Sequence, residues 1–88
     1  YKIKIYKIID INKIENKLNK IFSVVFDLKD KNIKNATFEN VKKWDSMSHL
    51  NLILAIESIF KIKIDPDESI NFLSYQNIYN FLKKNIKH

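Results

Sequence analysis

Apolar residues recur at intervals of three and four along three stretches of the chain, and this spacing limits the possible folds more than any other feature. It places the apolar side chains of each stretch on one face of a helix. The first stretch, which we expect to be helical to about Asp27, contains Ile11, Ile14, Leu18, Ile21, Phe22, Val25 and Phe26. The second contains Met47, Leu50, Ile53, Leu54, Ile56 and Phe60. The third contains Tyr75, Ile78, Tyr79, Leu82 and Ile86.

Residues typical of helix starts precede each stretch. Asn12 and Glu15, three positions apart, form a capping box at the start of the first helix. Asp45 is placed to cap the second helix, where its carboxylate also lies near the positive helix end. Ser74 is placed to cap the last helix. These capping residues support three separate helices.

A shorter helix is predicted between the second and the last. Asp65 and Pro66 put a proline at the first helical position, which predicts a helix near 67–72. Residues 27–44 are polar and rich in Asn and Asp, which favour turns. The chain is therefore predicted to be all-α, a small four-helix bundle with a short third helix and a long loop between helices 1 and 2.

Two further segments lie outside the predicted helices. Within the loop, Phe38, Val41 and Trp44 are expected to anchor the backbone to the core, because a loop of this length needs such contacts to stay ordered. Residues 1–8 alternate with period two, which favours an extended arm or an edge strand. We therefore divide the chain into an N-terminal extension, 1–10, and one domain, 11–88.

The residue types that are missing exclude several functions. The chain of 88 residues has no Cys, which excludes disulfides, a thiol nucleophile and a zinc site built on sulfur, and which fits a reducing, cytoplasmic location. It has no Gly, so glycine-dependent phosphate loops and nucleophile turns are absent. With only two His, a metal site is not expected. We expect a protein that is not an enzyme.

The charge of the chain gives little support for nucleic-acid binding. The net charge is +6, but all 16 basic residues are Lys and none is the Arg that usually reads phosphate and guanine. Residues 1–44 carry 11 Lys and 5 acids, whereas 45–82 carry 2 Lys and 5 acids, so the middle of this basic chain is acidic. We also expect no membrane span and no signal peptide, since no apolar run is long enough and no cleavage pattern is present.

The most informative stretch is residues 44–57, with the sequence WDSMSHLNLILAIE, followed by Phe60, Ile62 and Ile64. At these residues the chain resembles the acyl carrier protein family, and the resemblance extends from about Ile11 to Ile86. Residues 11–88 would then be an acyl carrier domain. In that family the Ser of an Asp-Ser-Leu triplet carries a phosphopantetheine arm donated from coenzyme A. Ser46 is the corresponding residue, with Met47 in place of Leu.

The local chemistry at Ser46 agrees with this resemblance. A hydroxyl at a helix N-terminus lies where backbone N–H groups and the helix dipole favour a phosphate diester. His49 lies three residues further on, but no third residue that would orient it as a base is evident. We therefore expect another enzyme to modify Ser46, and His49 to lie on a solvated helix face. Asp45 is expected to act both as the cap and in recognition by the modifying enzyme.

The resemblance also implies partners. These are a phosphopantetheinyl transferase and the enzymes that load and accept the acyl group, which is held as a thioester. The residues expected to contact partners are Trp44, Met47, His49, Leu54 and Glu57. Further apolar residues are expected to belong to the core, namely Leu50, Ile53, Ile56, Phe60, Ile64 and Leu73. We expect a monomer that binds neither nucleic acid nor membrane.

The choice of pathway depends on the second helix. Carriers of fatty-acid synthesis usually present several acids there, whereas this chain has Asn51, Ser58, Lys61 and Lys63 and keeps Asp45 and Glu57. This favours a dedicated pathway, such as the biosynthesis of surface sugars or secondary metabolites. The alternatives are ordinary fatty-acid synthesis, an aminoacyl or peptidyl carrier, an unmodified scaffold that acts through protein contacts and, from another class, a basic helical nucleic-acid-binding domain.

Overall fold

The computed structural model of the protein describes residues 2–29 and 31–86, with side chains described from Lys13 onwards. Its helices are α1 (Lys2–Phe26), α2 (Lys31–Lys34), α3 (Ser46–Phe60), α4 (Pro66–Ser69) and α5 (Tyr75–Asn85). The three long helices pack together, while α2 and α4 are single turns within the connections. Within the described ranges there is no β-sheet strand, only an isolated bridge between Thr37 and Ser74. The prediction of an all-α bundle is confirmed.

The prediction of an extended segment at residues 1–8 is wrong for residues 2–8. Helix α1 begins at Lys2 and continues through Asn12, so no helix starts at the predicted capping box. The sequence is compatible with this outcome, because Ile5, Ile8 and Ile9 are themselves spaced by three and four, and extending an existing helix is easier than nucleating one. Tyr1 lies outside the described residues. The division at residue 10 stays a prediction.

The core lies between α1, α3 and α5. From Lys13 onwards, the buried residues that α1 contributes are Ile14, Leu18, Ile21, Phe22 and Phe26, and those from α5 are Tyr75, Ile78 and Leu82. All eight were predicted to face the core. Tyr75 donates a hydrogen bond to Asn19 Oδ1 at 2.6 Å, which satisfies its buried hydroxyl. Burial, and next the nearby Glu15 carboxylate, raise the pKa of Tyr75 to about 12.

The long connection between α1 and α3 is more structured than predicted. It contains α2, whose Ile33 is buried, and the loop anchors Val41 and Trp44 are buried as predicted. The predicted anchoring of Phe38 is wrong, because its side chain is 53% exposed. Val41 and Trp44 are thus the side chains that anchor the loop, and Phe38 lies on the surface.

Two further residues predicted to be core are exposed. Leu50 and Leu73 are 56% and 48% exposed, and Leu52 and Phe72 are buried instead. Helix α3 is apolar on almost every side, so its spacing alone does not show which face is buried. The helix turns Leu52, Ile53 and Ile56 inward.

Helix α3 ends at Phe60, and the backbone of the capping residue Lys61 adopts the left-handed conformation with φ 57° and ψ 47°. A residue with a Cβ is disfavoured there, and glycine is the usual residue. We expect Lys61→Gly to raise the free energy of unfolding by about 0.5–1 kcal/mol. The control is Lys63→Gly, which removes the same charge from the extended link and should lower stability. Chemical denaturation of both variants measures the difference, and a Lys61→Gly protein less stable than wild type would contradict the expectation.

Candidate functional site

A tight turn positions the residues before α3. Thr37 N–H donates to Asn40 Oδ1 at 2.9 Å, and Asn40 N–H donates to Thr37 Oγ1 at 3.1 Å. Val41 N–H donates to the Thr37 carbonyl at 3.1 Å, and Trp44 N–H to the Val41 carbonyl at 3.1 Å. These bonds turn the chain so that Trp44 enters the core while Asp45 emerges at the surface.

The first turn of α3 has the predicted cap. Asp45 adopts an extended conformation, and its Oδ1 accepts a hydrogen bond from Ser48 N–H at 2.9 Å. This bond, together with one from the Ser48 side chain, lowers the pKa of Asp45 below its usual value of 3.8. Ser46 is the first residue of the helix, and it is exposed. A carboxylate and an accessible hydroxyl therefore stand side by side at the helix N-terminus.

The lowered pKa of Asp45 gives a pH dependence with a definite sign. A carboxyl with a lower pKa in the folded state stabilises the fold above its unfolded pKa of 3.8, and the stabilisation is lost as the pH falls through the folded value. We expect the stability difference between wild type and Asp45→Asn to shift in favour of the Asn variant as the pH falls below about 4. Urea denaturation of both proteins at pH 7 and at pH 3 measures this. A stability difference that is the same at both pH values would contradict the prediction that the capping bond of Asp45 makes the stability depend on pH.

His49 is held by both of its ring nitrogens. Trp44 Nε1–H donates to His49 Nδ1 at 3.0 Å, so Nδ1 is an acceptor. Nε2 then carries the hydrogen, and it lies 2.9 Å from the Ser69 carbonyl oxygen, to which it donates. The prediction of a solvated His49 is wrong, since the ring is half-buried and links α3 to α4. With both nitrogens engaged, His49 has no lone pair left with which to take a proton from Ser46.

A groove opens beside Ser46. It has a volume of about 300 Å³ and is lined by Phe38, Trp44, Asp45, Ser46, His49, Ile70 and Leu73. Trp44 forms part of its floor, and exposed apolar side chains form much of its walls. Phe38, Ile70 and Leu73 were not predicted from the sequence as site residues. Their position directly beside the helix start comes from packing between segments about 30 residues apart, which local spacing does not reveal.

The outer face of α3 is apolar and carries little charge. Met47, Leu50 and Leu54 are 74%, 56% and 52% exposed. Glu57 is the only Asp, Glu, Lys or Arg residue in Ser46–Phe60, and its Oε2 accepts a hydrogen bond from Ile64 N–H at 2.8 Å. The Glu57 carboxylate therefore braces the link after α3. Trp44, at 3% exposure, leaves little surface for a partner to contact.

The described part of the chain lacks two other classes of feature. No group of three or more His, Cys, Asp or Glu residues there could hold a metal ion. Among the same described residues, no helix combines the length and apolar character that crossing a membrane requires.

Comparison with known proteins gives two similar chains. One is an acyl carrier protein of Buchnera aphidicola subsp. Schizaphis graminum (strain Sg), 30% identical over 77 residues that cover 86% of this chain and 98% of that protein. Another is an acyl carrier protein of Buchnera aphidicola subsp. Baizongia pistaciae (strain Bp), 34% identical over 73 residues that cover 81% of this chain and 92% of that protein.

No family model matches the chain, and no solved structure matches it. The two similar proteins nevertheless align with this chain over almost their whole lengths. The helical bundle described above is consistent with a small acyl carrier bundle. The chain belongs to the acyl carrier protein family.

Proposed function

We propose that the protein carries acyl groups as thioesters on a phosphopantetheine arm attached to Ser46, and that it serves a dedicated pathway in the cytoplasm. Acyl carrier proteins are not enzymes, and they carry a covalently attached phosphopantetheine arm. Their partners are enzymes that handle acyl groups. The proposal concerns the attachment residue and the kind of pathway, with the synthesis of surface sugars or secondary metabolites as the expected setting.

The observation that carries the attachment proposal is the exposed Ser46 hydroxyl at the N-terminus of α3, next to Asp45. The first-turn N–H groups and the helix dipole favour a phosphate at this position. When bound, the arm supplies the terminal thiol that this chain, which has no Cys, otherwise lacks. The proposed attachment point is accessible, because Ser46 and Asp45 are exposed beside an open groove. The residues present therefore fit the group.

The transfer step needs a second protein. Ser46 Oγ forms a new bond to the phosphorus that carries pantetheine in coenzyme A. The bond from this phosphorus to the bridging oxygen of the pyrophosphate breaks, and 3′,5′-ADP leaves with that oxygen. The Ser46 proton must go to a base. Because both His49 nitrogens are already engaged, we propose that the phosphopantetheinyl transferase supplies this base and that Asp45 is one of the residues it recognises.

The attachment residue is open to direct mapping. Trypsin cleaves after Lys43 and Lys61, which releases residues 44–61 as one peptide that contains Ser46, Ser48 and Ser58. After incubation with coenzyme A and a transferase, fragmentation of this peptide should place the added mass on Ser46. Added mass on Ser48 or Ser58, or on another peptide, would refute the assignment.

The proposal of a dedicated pathway rests on the outer face of α3. Met47, Leu50 and Leu54 offer apolar contact, while the one carboxylate within the helix, Glu57, is bonded to the backbone. Charges on the rim of an interface mainly set the encounter rate and exclude wrong partners. A face with so little charge gives weak steering towards basic partner enzymes. We therefore propose that the protein's own partners recognise it mainly through apolar contacts.

This proposal predicts how acyl transfer depends on salt. With the enzymes of a general fatty-acid elongation system, we expect the protein carrying its arm to be a poor substrate, and its transfer rates to change little between low and physiological salt. The measurement is the initial acyl-transfer rate across a salt series, with that system's own carrier as the positive control. Efficient turnover that falls steeply with salt would restore ordinary fatty-acid synthesis as the function.

A further inference from the structure

One imidazole ring joins α3 to α4. Near the start of α3, His49 Nδ1 accepts the Trp44 indole N–H at 3.0 Å, and His49 Nε2–H donates to the Ser69 carbonyl at 2.9 Å. The Trp44 and His49 rings also stack, with 6.3 Å between their centroids. The His49 ring is therefore fixed in one orientation and in one tautomer, with its hydrogen on Nε2.

Helix α4 has few contacts of its own that would hold it against α3. It is four residues long and buries none of its side chains. The Ser69 hydroxyl bonds only locally, to the Pro66 carbonyl at 2.8 Å. Among the described residues, the bond from His49 is the only side-chain hydrogen bond between α3 and α4. Without it, α4 is held only through the chain on either side, where Ile64 and Phe72 are buried.

We propose that His49 is a positioning residue that holds α4 beside the start of α3 only while its ring is neutral, and that uptake of a proton by the ring releases α4. The proton can enter the ring only at Nδ1, because Nε2 already carries a hydrogen. Nδ1–H would then be a donor that faces the indole N–H of Trp44. Because Trp44 is 3% exposed, its N–H would be left buried without an acceptor, which is unfavourable.

The two hydrogen bonds of His49 are lost together because they share one rigid ring. A rotation that separates the two facing N–H groups also moves Nε2 away from the Ser69 carbonyl. Ile70, at the end of α4, lines the same groove as Ser46, so the release of α4 changes the surface that an enzyme meets beside Ser46. This last step rests on the attachment proposed above.

The surroundings of the ring leave His49 as the group that responds between pH 7.5 and pH 5. The charged residues on the elements packed around it are Asp27, Glu39, Lys42, Lys43, Asp45, Asp65, Asp67 and Glu68. None of these side chains is hydrogen-bonded to the ring. Carboxylates and ammonium groups ordinarily keep their charge in this pH range, whereas imidazole changes its own. The bond from Ser48 N–H lowers the pKa of Asp45, which keeps that carboxylate charged.

The test follows the NMR signals of isotope-labelled protein from pH 7.5 to pH 5. Trp44 is the only tryptophan, so it gives a single indole N–H signal. We expect this signal and the Ser69 and Ile70 amide signals to move with the same midpoint as the His49 ring signals. Corrected for the intrinsic effect of pH, hydrogen exchange of the Ile70 amide should be about fivefold faster at pH 5, the factor that loss of one hydrogen bond gives. Ring signals that titrate alone, or a ring that takes up no proton in this range, would overturn the proposal.

Two substitutions separate the proton from the hydrogen bonds. His49→Gln keeps an oxygen acceptor and an N–H donor on a side chain that takes up no proton, so its indole and α4 signals should not change between the two pH values. His49→Phe keeps a ring against Trp44 but forms neither bond, so its Ile70 exchange at both pH values should match that of wild type at pH 5. A Gln variant with the wild-type pH response would place the change on another group. The wild-type titration needs neither variant, so it decides the proposal even where a variant does not fold.

Competition for the arm tests the step at Ser46. Wild type and His49→Gln are mixed in one tube with coenzyme A and a transferase, so that the enzyme's own pH dependence cancels, and intact mass follows both proteins. We expect the rate of wild type relative to the variant to be about fivefold lower at pH 5.5 than at pH 7.5, since α4 must be repositioned without its hydrogen bond. A constant ratio would overturn the positioning role at Ser46. A mixture in which neither protein gains the arm at pH 7.5 would overturn attachment itself, while the NMR signals still decide whether protonation releases α4.

Discussion

Replacement of Trp44 by alanine is expected to lower the free energy of unfolding by about 3–5 kcal/mol. The Trp44 ring is 3% exposed and stacks on Phe26 at 4.8 Å between ring centroids, and it meets Phe22 edge-on at 5.6 Å. Removing it leaves a cavity where the loop meets α1, and the surrounding rings relax only in part. It also leaves His49 Nδ1 without its donor.

Trp44→Phe separates the contribution of apolar packing from that of the hydrogen bond to His49. Phenylalanine keeps most of the apolar contact but has no N–H, so we expect a loss of about 1–3 kcal/mol, smaller than for alanine. Circular dichroism during urea denaturation follows both variants, because it does not depend on the tryptophan that is removed. A loss below about 1 kcal/mol for Trp44→Ala would mean that the ring does not anchor the loop, and the described link between loop and core would then be wrong.

The main helices were predictable because their signals are local. Spacing of apolar residues placed the buried faces of α1 and α5, and the caps at Asp45 and Ser74 lie where the sequence put them. The spacing did not predict which face of α3 is buried, because apolar residues occur on almost every side of this helix. Packing against α1 decides how the helix is oriented. Leu50 was therefore predicted to be core, although it is exposed, and the burial of Leu52 was missed.

Two smaller elements were missed for a different reason. Helix α2 is one turn long and joins its neighbours through Ile33, so its sequence carries too little periodicity to be distinguished from a loop. The start of α1 gave two signals at once, since residues 1–8 alternate but also contain Ile5 and Ile8 at helical spacing. Cooperative extension of the helix decides between them.

The candidate site was partly predictable. Ser46 and Asp45 follow from one short motif, because a cap and the residue after it are neighbours in sequence. The pair of hydrogen bonds at the His49 ring was not predictable, since the Ser69 carbonyl, which accepts one of them, lies 20 residues away. The groove was missed likewise, because it forms where Phe38, Ile70 and Leu73 meet after folding. Local sequence thus locates the residue that we propose for attachment, and tertiary packing shapes its surroundings.

Loss of the Ser46 hydroxyl is expected to have the largest functional effect, a complete loss of arm attachment. Ser46 is exposed at the first position of α3, and the cap bond runs between Asp45 and Ser48 N–H, so Ser46→Ala should leave the fold intact. An unchanged Trp44 fluorescence spectrum and thermal unfolding curve check this. Ser48→Ala is the matched control, since it removes a hydroxyl two residues further along the same helix and keeps Ser46.

Intact mass after incubation with coenzyme A and a phosphopantetheinyl transferase tests the central claim most directly. The account predicts that wild type and Ser48→Ala each gain the mass of one phosphopantetheine group, and that Ser46→Ala gains none. A wild-type protein that gains nothing from a transferase active on another carrier in the same reaction, or a Ser46→Ala protein that is still modified, would contradict it.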